Sequence, residues 1–289
     1  MKKIIWVAFL MLPFLVNAQN WQGKFEQLGD ILPTPNSYRT ASGQPGYKYW
    51  QQQADYIINV SIDEKTLVLT GSEEITFFNK SPHSLKYLWI QLDQNVRKKN
   101  SLAWQTETNS VDSEMEAQDM MAITDDYSYD GGYNIKSVNN ADGQPLQHTI
   151  NETMMRVDLP SILTPGSSVK IKLEWSYNMY DRLTVGGRGG YEYFPKDDNY
   201  LFSIAQWYPR VAVYDDVEGW QNKQFLGQGE FALTFGNFDV KITAPADHIV
   251  AASGELQNSE QVLNPKQIKR LESAKNATSP VFIVTEKEA

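Results

Sequence analysis

The sequence predicts an all-β fold of antiparallel strands, with a short helix and one further strand near the C-terminus. Aromatic residues make up 12% of the 289 positions, and such side chains favour pleated, half-buried positions. Many short runs alternate apolar and polar residues, which predicts strands with one buried face and one wet face. Turn residues such as Gly, Pro, Asn and Asp separate these runs. The length allows one large all-β domain or two smaller ones.

Residues 1–18 have the pattern of a secretory signal peptide. Lys2 and Lys3 precede an apolar run, and a small-residue cleavage site at Ala18 follows it. The apolar run is about 13 residues long, shorter than the roughly 20 that a membrane-spanning helix needs. A cleaved signal is therefore favoured over a membrane anchor. We expect an exported protein, periplasmic, surface-attached or secreted, with no membrane span after cleavage.

Charge and cysteine content exclude two classes of protein. The formal net charge is −9, and the loss of Lys2 and Lys3 makes the mature chain more negative. An acidic chain without a basic stripe argues against a nucleic-acid partner. The chain contains no cysteine, so a disulfide scaffold is excluded and the hydrophobic core alone must stabilise the fold.

The first strands follow a polar lead-in that occupies residues 19–48. The first alternation includes Tyr56, Ile58 and Val60, and a turn at residues 63–65 leads to a returning strand over 67–78. Gly71 inside that strand predicts a bulge or bend. Residues 85–92 are apolar on both faces, which predicts a central strand.

Residues 98–130 interrupt the strand pattern with many carboxylates. A calcium site is one interpretation, but the regular Asp-x-Asp-x-Asp-Gly spacing of a calcium loop is absent. A solvated surface excursion, with a short helix near residues 113–121, is favoured.

Strands resume after this excursion. They are predicted over 133–138, 146–150, 154–159 and 169–175, with an Asp142-Gly143 hairpin signal and a Pro165-Gly166 turn. The glycine-rich stretch 182–190 lacks the phosphate-loop pattern, and we expect a mobile loop near a site.

The stretch 200–256 is the most informative part of the chain. Two alternations meet at a Gly-Asn pair within residues 231–243, which predicts strand on both sides of that pair. Upstream, Gln206-Trp-Tyr-Pro-Arg210 ends a strand; this loop is either a ligand edge or a packed strand end. Beyond it, Asn264 is predicted to cap a helix over 265–275, and residues 281–285 are predicted to form a strand.

The sequence contains no recognisable catalytic motif. His-Glu-x-x-His and Gly-x-Ser-x-Gly are both absent, and no cysteine nucleophile exists. The histidines His83, His148 and His248 have no second ligand at metal-binding sequence spacing. We interpret all three as turn or surface residues.

Six segments share the order and spacing of one known domain. They are Tyr56-Ile-Ile-Asn-Val60, Leu69-Thr-Gly-Ser-Glu-Glu-Ile-Thr-Phe-Phe-Asn79, Leu88-Trp-Ile-Gln-Leu92, Leu163-Thr-Pro-Gly166, Ala205-Gln-Trp-Tyr-Pro-Arg210, and Phe238-Asp-Val-Lys-Ile-Thr-Ala-Pro245 leading to Ala252-Ser-Gly-Glu-Leu256. Over residues 49–256 the chain thereby resembles the N-terminal β-domain of the M1 family of zinc aminopeptidases, the aminopeptidase N group. It is most similar to the exported Bacteroidetes branch of that group.

The resemblance implies a saddle-like β-sandwich that precedes a thermolysin-like catalytic domain. In the family that later domain supplies zinc, Gly-x-Met-Glu-Asn and His-Glu-x-x-His, all missing from this sequence. Residues 49–256 would be the β-domain, and 257–289 the start of a connection to the missing catalytic domain. The resemblance thus implies no catalytic residue, metal ligand or cofactor in this chain, which would be inactive alone.

One functional residue is implied by the resemblance. In the family, a Gln or Glu on the N-terminal domain binds the free α-amino group of the peptide substrate, and Gln206 occupies that position. The expected partners are the M1 catalytic domain, in cis or in trans, and the peptide N-terminus. The alternative is a stand-alone secreted β-sandwich that binds peptide or carbohydrate through an aromatic edge near Trp207, Tyr208 and Trp220.

Overall fold

The computed structural model describes residues 35–106, 114, 116–117, 129–229 and 231–288. The predicted signal peptide and most of the predicted polar lead-in lie outside these residues. Most of the acidic excursion and the helix predicted near residues 113–121 also lie outside them.

The described residues form a mostly β structure, as the sequence predicts. The strands in chain order are β1 Gln53–Asp63, β2 Val68–Phe78, β3 Leu85–Gln91, β4 Asn134–Asn140, β5 His148–Asn151, β6 Met154–Leu163, β7 Ser168–Asn178, β8 Gly190–Phe194, β9 Asn199–Ser203, β10 Arg210–Val211, β11 Tyr214–Asp215, β12 Gly219–Trp220 and β13 Phe238–Thr243. The helices are a 3₁₀-helix Asp93–Arg97, α1 Leu102–Thr106, α2 Arg182–Val185, α3 Ser259–Val262 and α4 Pro265–Ala274.

Two sheets share one core. The first has five strands in the order β13-β1-β2-β7-β4, and the second has four in the order β10-β3-β6-β5. All neighbours pair antiparallel except β13, which runs parallel to β1. The pairs β8–β9 and β11–β12 form separate two-stranded sheets. The backbone N–H of Val211 donates to the Tyr56 hydroxyl at 3.0 Å, which ties the two larger sheets together through the core.

The Asp142-Gly143 signal marks a turn between the two sheets. The turn closes locally, because Gly143 N–H donates to the carbonyl of Asn140. The flanking strands then separate, since β4 joins the five-stranded sheet and β5 joins the four-stranded one. The predicted turn is therefore present, and the two strands that flank it belong to different sheets.

Gly71 does not mark the bulge that the sequence predicted. It pairs in regular register with Val60 on one side and Trp175 on the other. A Cβ atom at this position would lie 2.3 Å from the indole ring of Trp175, far inside van der Waals contact. Glycine is required here because Trp175, a fully buried side chain, lies across the strand.

Only the second half of the 231–243 alternation is a strand. The chain reaches β1 at Gly236, where a Cβ would lie 1.6 Å from the Ala54 carbonyl oxygen. Pairing with β1 begins there, because Tyr56 N–H donates to the carbonyl of Asn237 and Phe238 lies opposite Tyr56. Residues 231–237 are irregular, so the strand prediction was wrong for that half.

The predicted buried face of β13 is also wrong. Phe238, Val240 and Ile242 lie beside the core residues Tyr56, Ile58 and Val60 of β1 on the same face of the sheet. All six residues of β13 are nevertheless exposed. The apolar core face therefore continues onto an edge strand that no other described element covers.

The C-terminal helix prediction is confirmed, whereas the strand after it is not found. The Asn264 side chain accepts from the N–H groups of Lys266 and Gln267, and the Gln267 side chain reciprocates in a capping box. Residues 281–285 form no strand, and Phe282 is exposed. A strand needs a neighbour to pair with its backbone, and the described residues provide none here. Within the described ranges, no helix is long and apolar enough to cross a membrane.

One carboxylate lies inside the core. On β2, Glu73 belongs to the buried register between Gly71 and Ile75, and its side chain is only 3% exposed. Neither carboxylate oxygen has a hydrogen-bond partner among the described residues. Burial raises the pKa of Glu73 well above its ordinary value of 4.5, because water no longer solvates the charged form.

We expect Glu73→Gln to stabilise the protein at neutral and higher pH. A raised folded-state pKa means that the folded state holds the Glu73 proton more tightly than the unfolded chain does. The contribution of protonated Glu73 to the free energy of unfolding is complete below pH 4.5. This contribution is lost as the pH rises towards the raised pKa of the folded state. The neutral amide removes this loss, so the variant should gain about 1–3 kcal/mol at pH 8 and little near pH 4.

Urea unfolding of the wild type and of Glu73→Gln across this pH range measures the difference in their free energies of unfolding. The control is Glu174→Gln, which changes an exposed carboxylate on β7 and should alter the pH dependence little. A Glu73→Gln variant with the same pH dependence as the wild type would show that Glu73 does not carry the buried charge.

Candidate functional site

The loop between β9 and β10 contains the residue that the sequence singles out. Gln206 has a backbone φ of +51°, in the left-handed region that non-glycine residues seldom adopt. Two donors fix its carbonyl oxygen, the Gln94 side-chain amide at 3.0 Å and the Tyr133 hydroxyl at 3.3 Å. Gln94 also donates to the Ala205 carbonyl at 3.1 Å. The surrounding structure thus holds Gln206 in a strained conformation, as is common at ligand sites.

The side chain of Gln206 is left available for a ligand. It is half-buried, and among the described residues its amide makes no hydrogen bond. A glutamine amide offers a carbonyl oxygen that accepts from an ammonium group. The structure thus supplies a fixed backbone with an uncommitted acceptor at this position.

The aromatic residues of the loop pack inward. Trp207 lies against Trp175, with 6.1 Å between ring centroids, and against Tyr208. Tyr208 contacts Tyr56 and Phe238 through edge-to-face geometry. Both residues are half-buried against the core, so they support the loop in the way a packed strand end does.

Trp220, the third residue of the proposed aromatic edge, also packs against the core. Its ring lies beside those of Phe77, Tyr87 and Tyr214. The three residues are therefore partly buried packing residues, and a stand-alone peptide or carbohydrate module that uses them stays a prediction.

A buried ion pair anchors the far end of the loop. The Arg210 guanidinium lies 2.6 Å from the Asp93 carboxylate and donates to the Gln91 side chain at 2.8 Å. The side chains of Arg210 and Asp93 are 11% and 4% exposed. Burial raises the pKa of Asp93 above its ordinary value, and the positive charge of Arg210 opposes that shift.

The 3₁₀-helix after β3 organises the whole loop. Asp93 holds Arg210 at one end of the loop, and the next residue, Gln94, holds Ala205 and Gln206 at the other. Asn95 then accepts from the Tyr133 N–H at 2.8 Å, which places the Tyr133 hydroxyl near Gln206. The sequence does not indicate this role, because residues 93–95 contact the loop only in the folded structure.

The three histidines lie in different places. His83 contacts the Tyr214 hydroxyl. His148, on the outer strand β5, contacts the Leu146 carbonyl. His248 lies with Glu64 and Asp247 in the one group of potential metal ligands among the described residues. Motif spacing in the sequence could not reveal this group, because Glu64 is 184 positions from His248. These residues do not match the His-Glu-x-x-His zinc site that the resemblance implies for a separate domain.

No protein-family model matches the sequence, and no curated protein matches it. Among solved structures, the chain is similar to a mutant M1 zinc metallopeptidase from Deinococcus radiodurans bound to a Tyr-Ser-Ala substrate, at 14% identity and a TM-score of 0.37. The match covers 74% of this chain and 38% of that one. A second M1 zinc metallopeptidase structure from Deinococcus radiodurans matches at 14% identity and a TM-score of 0.35, covering 73% and 36%. The chain thus spans less than two fifths of the length of these two structures.

We expect Asp93→Asn to destabilise the protein strongly. The substitution leaves the buried Arg210 charge without its carboxylate partner, which costs about 3–5 kcal/mol. Asp158→Asn is the control, because it breaks the Arg156–Asp158 pair, whose side chains are 45% and 50% exposed. That change should cost less than about 1 kcal/mol. Urea unfolding measures both, and equal effects would contradict an anchoring role for the buried pair.

Proposed function

We propose that this chain is the non-catalytic N-terminal β-domain of an exported M1 zinc metallopeptidase. In this role it forms one wall of the substrate cleft and binds the peptide N-terminus through Gln206. The observation that carries the proposal is the strained backbone of Gln206, which two buried donors fix while its side-chain amide stays uncommitted. The six sequence segments and the β-sandwich architecture support the same assignment.

The chemistry at Gln206 suits an amine rather than a carboxylate ligand. Its carbonyl oxygen accepts a hydrogen bond from an α-ammonium group, and a hydrogen bond to a charged group contributes about 1.5–3 kcal/mol. The chain carries a net charge of −9, which favours a cationic group over an anionic one.

The exposed face of β13 is the proposed docking surface for the catalytic domain. Phe238, Val240 and Ile242 extend the core face of the sheet and are 49%, 37% and 37% exposed. Apolar side chains in line with a core are a common feature of surfaces that another domain covers. Tyr208 contacts Phe238, so this surface lies directly beside the Gln206 loop, where a cleft between two domains would form.

Zinc and the general base would come from the catalytic domain, which also carries the bond-breaking chemistry. The role of this chain is limited to binding, orientation and docking. The export signal predicted at residues 1–18 supports a location of the assembled enzyme outside the cytoplasm.

The first test of the proposal is reconstitution of aminopeptidase activity. The full chain is mixed with a separately produced M1 catalytic domain from the same organism and assayed on aminoacyl reporter substrates. We expect no activity from the chain alone, and higher activity from the mixture than from the catalytic domain alone. Activity of the chain alone, or a mixture no better than the catalytic domain, would contradict the proposal.

Gln206→Ala should lower kcat/KM of the reconstituted enzyme about 10–100-fold on substrates with a free N-terminus, because one hydrogen bond to the ammonium is lost. Gln147→Ala, which changes an exposed glutamine before β5, is the control and should leave kcat/KM unchanged. If Gln206→Ala lowers kcat/KM on N-acetylated substrates by the same factor, Gln206 does not recognise the amine.

Val240→Glu should abolish reconstitution without unfolding the chain. The residue is exposed on β13, so a charge there disturbs the docking surface more than the core. Lys241→Glu is the control, because successive residues of a strand point to opposite faces. Analytical ultracentrifugation of the mixtures separates the outcomes, and equal association of both variants with the catalytic domain would exclude this face.

A further inference from the structure

Parallel pairing of β1 and β13 brings two distant loops together. Ser61 of β1 lies opposite Thr243 of β13, and both strands then leave the sheet at the same end. Glu64 follows β1 by one residue, and His248 follows β13 by five residues. The cluster of Glu64, Asp247 and His248 therefore forms where these two strand ends meet.

Two atoms of this cluster face each other without a hydrogen bond. Glu64 Oε2 and His248 Nε2 lie 3.6 Å apart, and both are shielded from solvent with no partner among the described residues. Two ligands about 2.1 Å from a tetrahedral zinc ion are about 3.4 Å apart. The separation is too long for a hydrogen bond and is close to that of two ligands sharing one ion.

The rest of the imidazole is held as it is in metal sites. His248 Nδ1 lies 3.3 Å from Asp247 Oδ1, on the ring nitrogen away from Glu64. When Nδ1 carries the proton, it donates to that carboxylate, which leaves Nε2 with a free lone pair. Histidine ligands of metals almost always donate their other N–H to such an acceptor. The Phe202 ring, with its centroid 5.5 Å from that of His248, packs against the imidazole and limits its rotation.

We propose that Glu64 and His248 bind a divalent transition-metal ion of the Zn²⁺ class, with Asp247 as the residue that orients His248. Water completes the coordination, since the cluster supplies two direct ligands. A site with one imidazole and one carboxylate suits zinc better than calcium, which prefers oxygen ligands. The bound ion joins the β1–β2 turn to the chain after β13. It therefore fixes an edge strand whose six side chains are all exposed, independently of the proposed peptidase role.

Isothermal titration of the full chain with ZnCl₂ tests the site. The buffer is metal-free and above the ordinary imidazole pKa of about 6.5, because a ligating histidine must be neutral. The wild type should bind one ion per chain in a saturable manner. His248→Gln should abolish this binding, and Asp247→Asn should weaken it roughly 10–100-fold, as loss of an orienting carboxylate does.

His148→Gln is the matched control, because His148 lies on an exposed strand and, among the described residues, its ring nitrogen contacts the Leu146 carbonyl. It should bind zinc like the wild type. Saturable binding that survives in His248→Gln, or no saturable binding by the wild type, would overturn the proposal. If the wild type shows no saturable binding, the Glu64–His248 contact is an ordinary ion pair.

A second measurement does not depend on how the variants fold. Substoichiometric Co²⁺ added to the wild-type chain broadens the proton resonances of imidazoles that lie next to the ion. The His248 resonances should broaden first, and those of His83 and His148 should stay sharp. Broadening of His83 or His148 ahead of His248 would place the ion elsewhere and contradict the proposal.

Discussion

The buried ion pair between Asp93 and Arg210 connects the fold of this protein to its candidate site. Asp93 follows β3 and Arg210 begins β10, so the pair joins the strands at the edge of the four-stranded sheet. An unpaired charge in this position would be costly, so the two residues must meet for the loop to close. With Arg210 fixed, Gln94 and Tyr133 reach the Gln206 carbonyl and hold its strained backbone. The position of Gln206 thus follows from packing under the loop.

Two neighbouring positions on β2 show how the core accommodates unusual residues. Gly71 leaves the space that the Trp175 indole fills, and Trp175 in turn supports Trp207 of the loop. Glu73, two residues further along, brings a carboxyl group into the same interior with no hydrogen-bond partner among the described residues. The core beneath the Gln206 loop is therefore rich in aromatic rings and contains a carboxyl group whose charged form is disfavoured by burial.

The edge strand β13 combines two properties that single strands seldom have together. Its apolar side chains continue the core face of the sheet, yet all six residues are exposed. Among the described residues, it is held by the parallel pairing with β1, by ring contacts of Phe238 and by contacts at its two ends. Gly236 fixes the entry by close approach to Ala54, and the Glu64–His248 contact lies at the exit. The exposed apolar face of β13 is therefore held in place within the described structure.

The sequence by itself determined the all-β class, most strand positions and the capped helix α4. These features depend on local alternation, turn residues and capping, all of which lie within a few positions of each other. It also singled out Gln206, although only through resemblance to a family. Tertiary structure alone decided that residues 231–237 and 281–285 are not strands, because a strand needs a partner that pattern does not specify. Tertiary structure also decided the Asp93–Arg210 pair and the Glu64–His248 cluster, whose members are 117 and 184 positions apart in the chain. Contacts across such separations depend on which strands become neighbours, and local sequence patterns do not specify those neighbours.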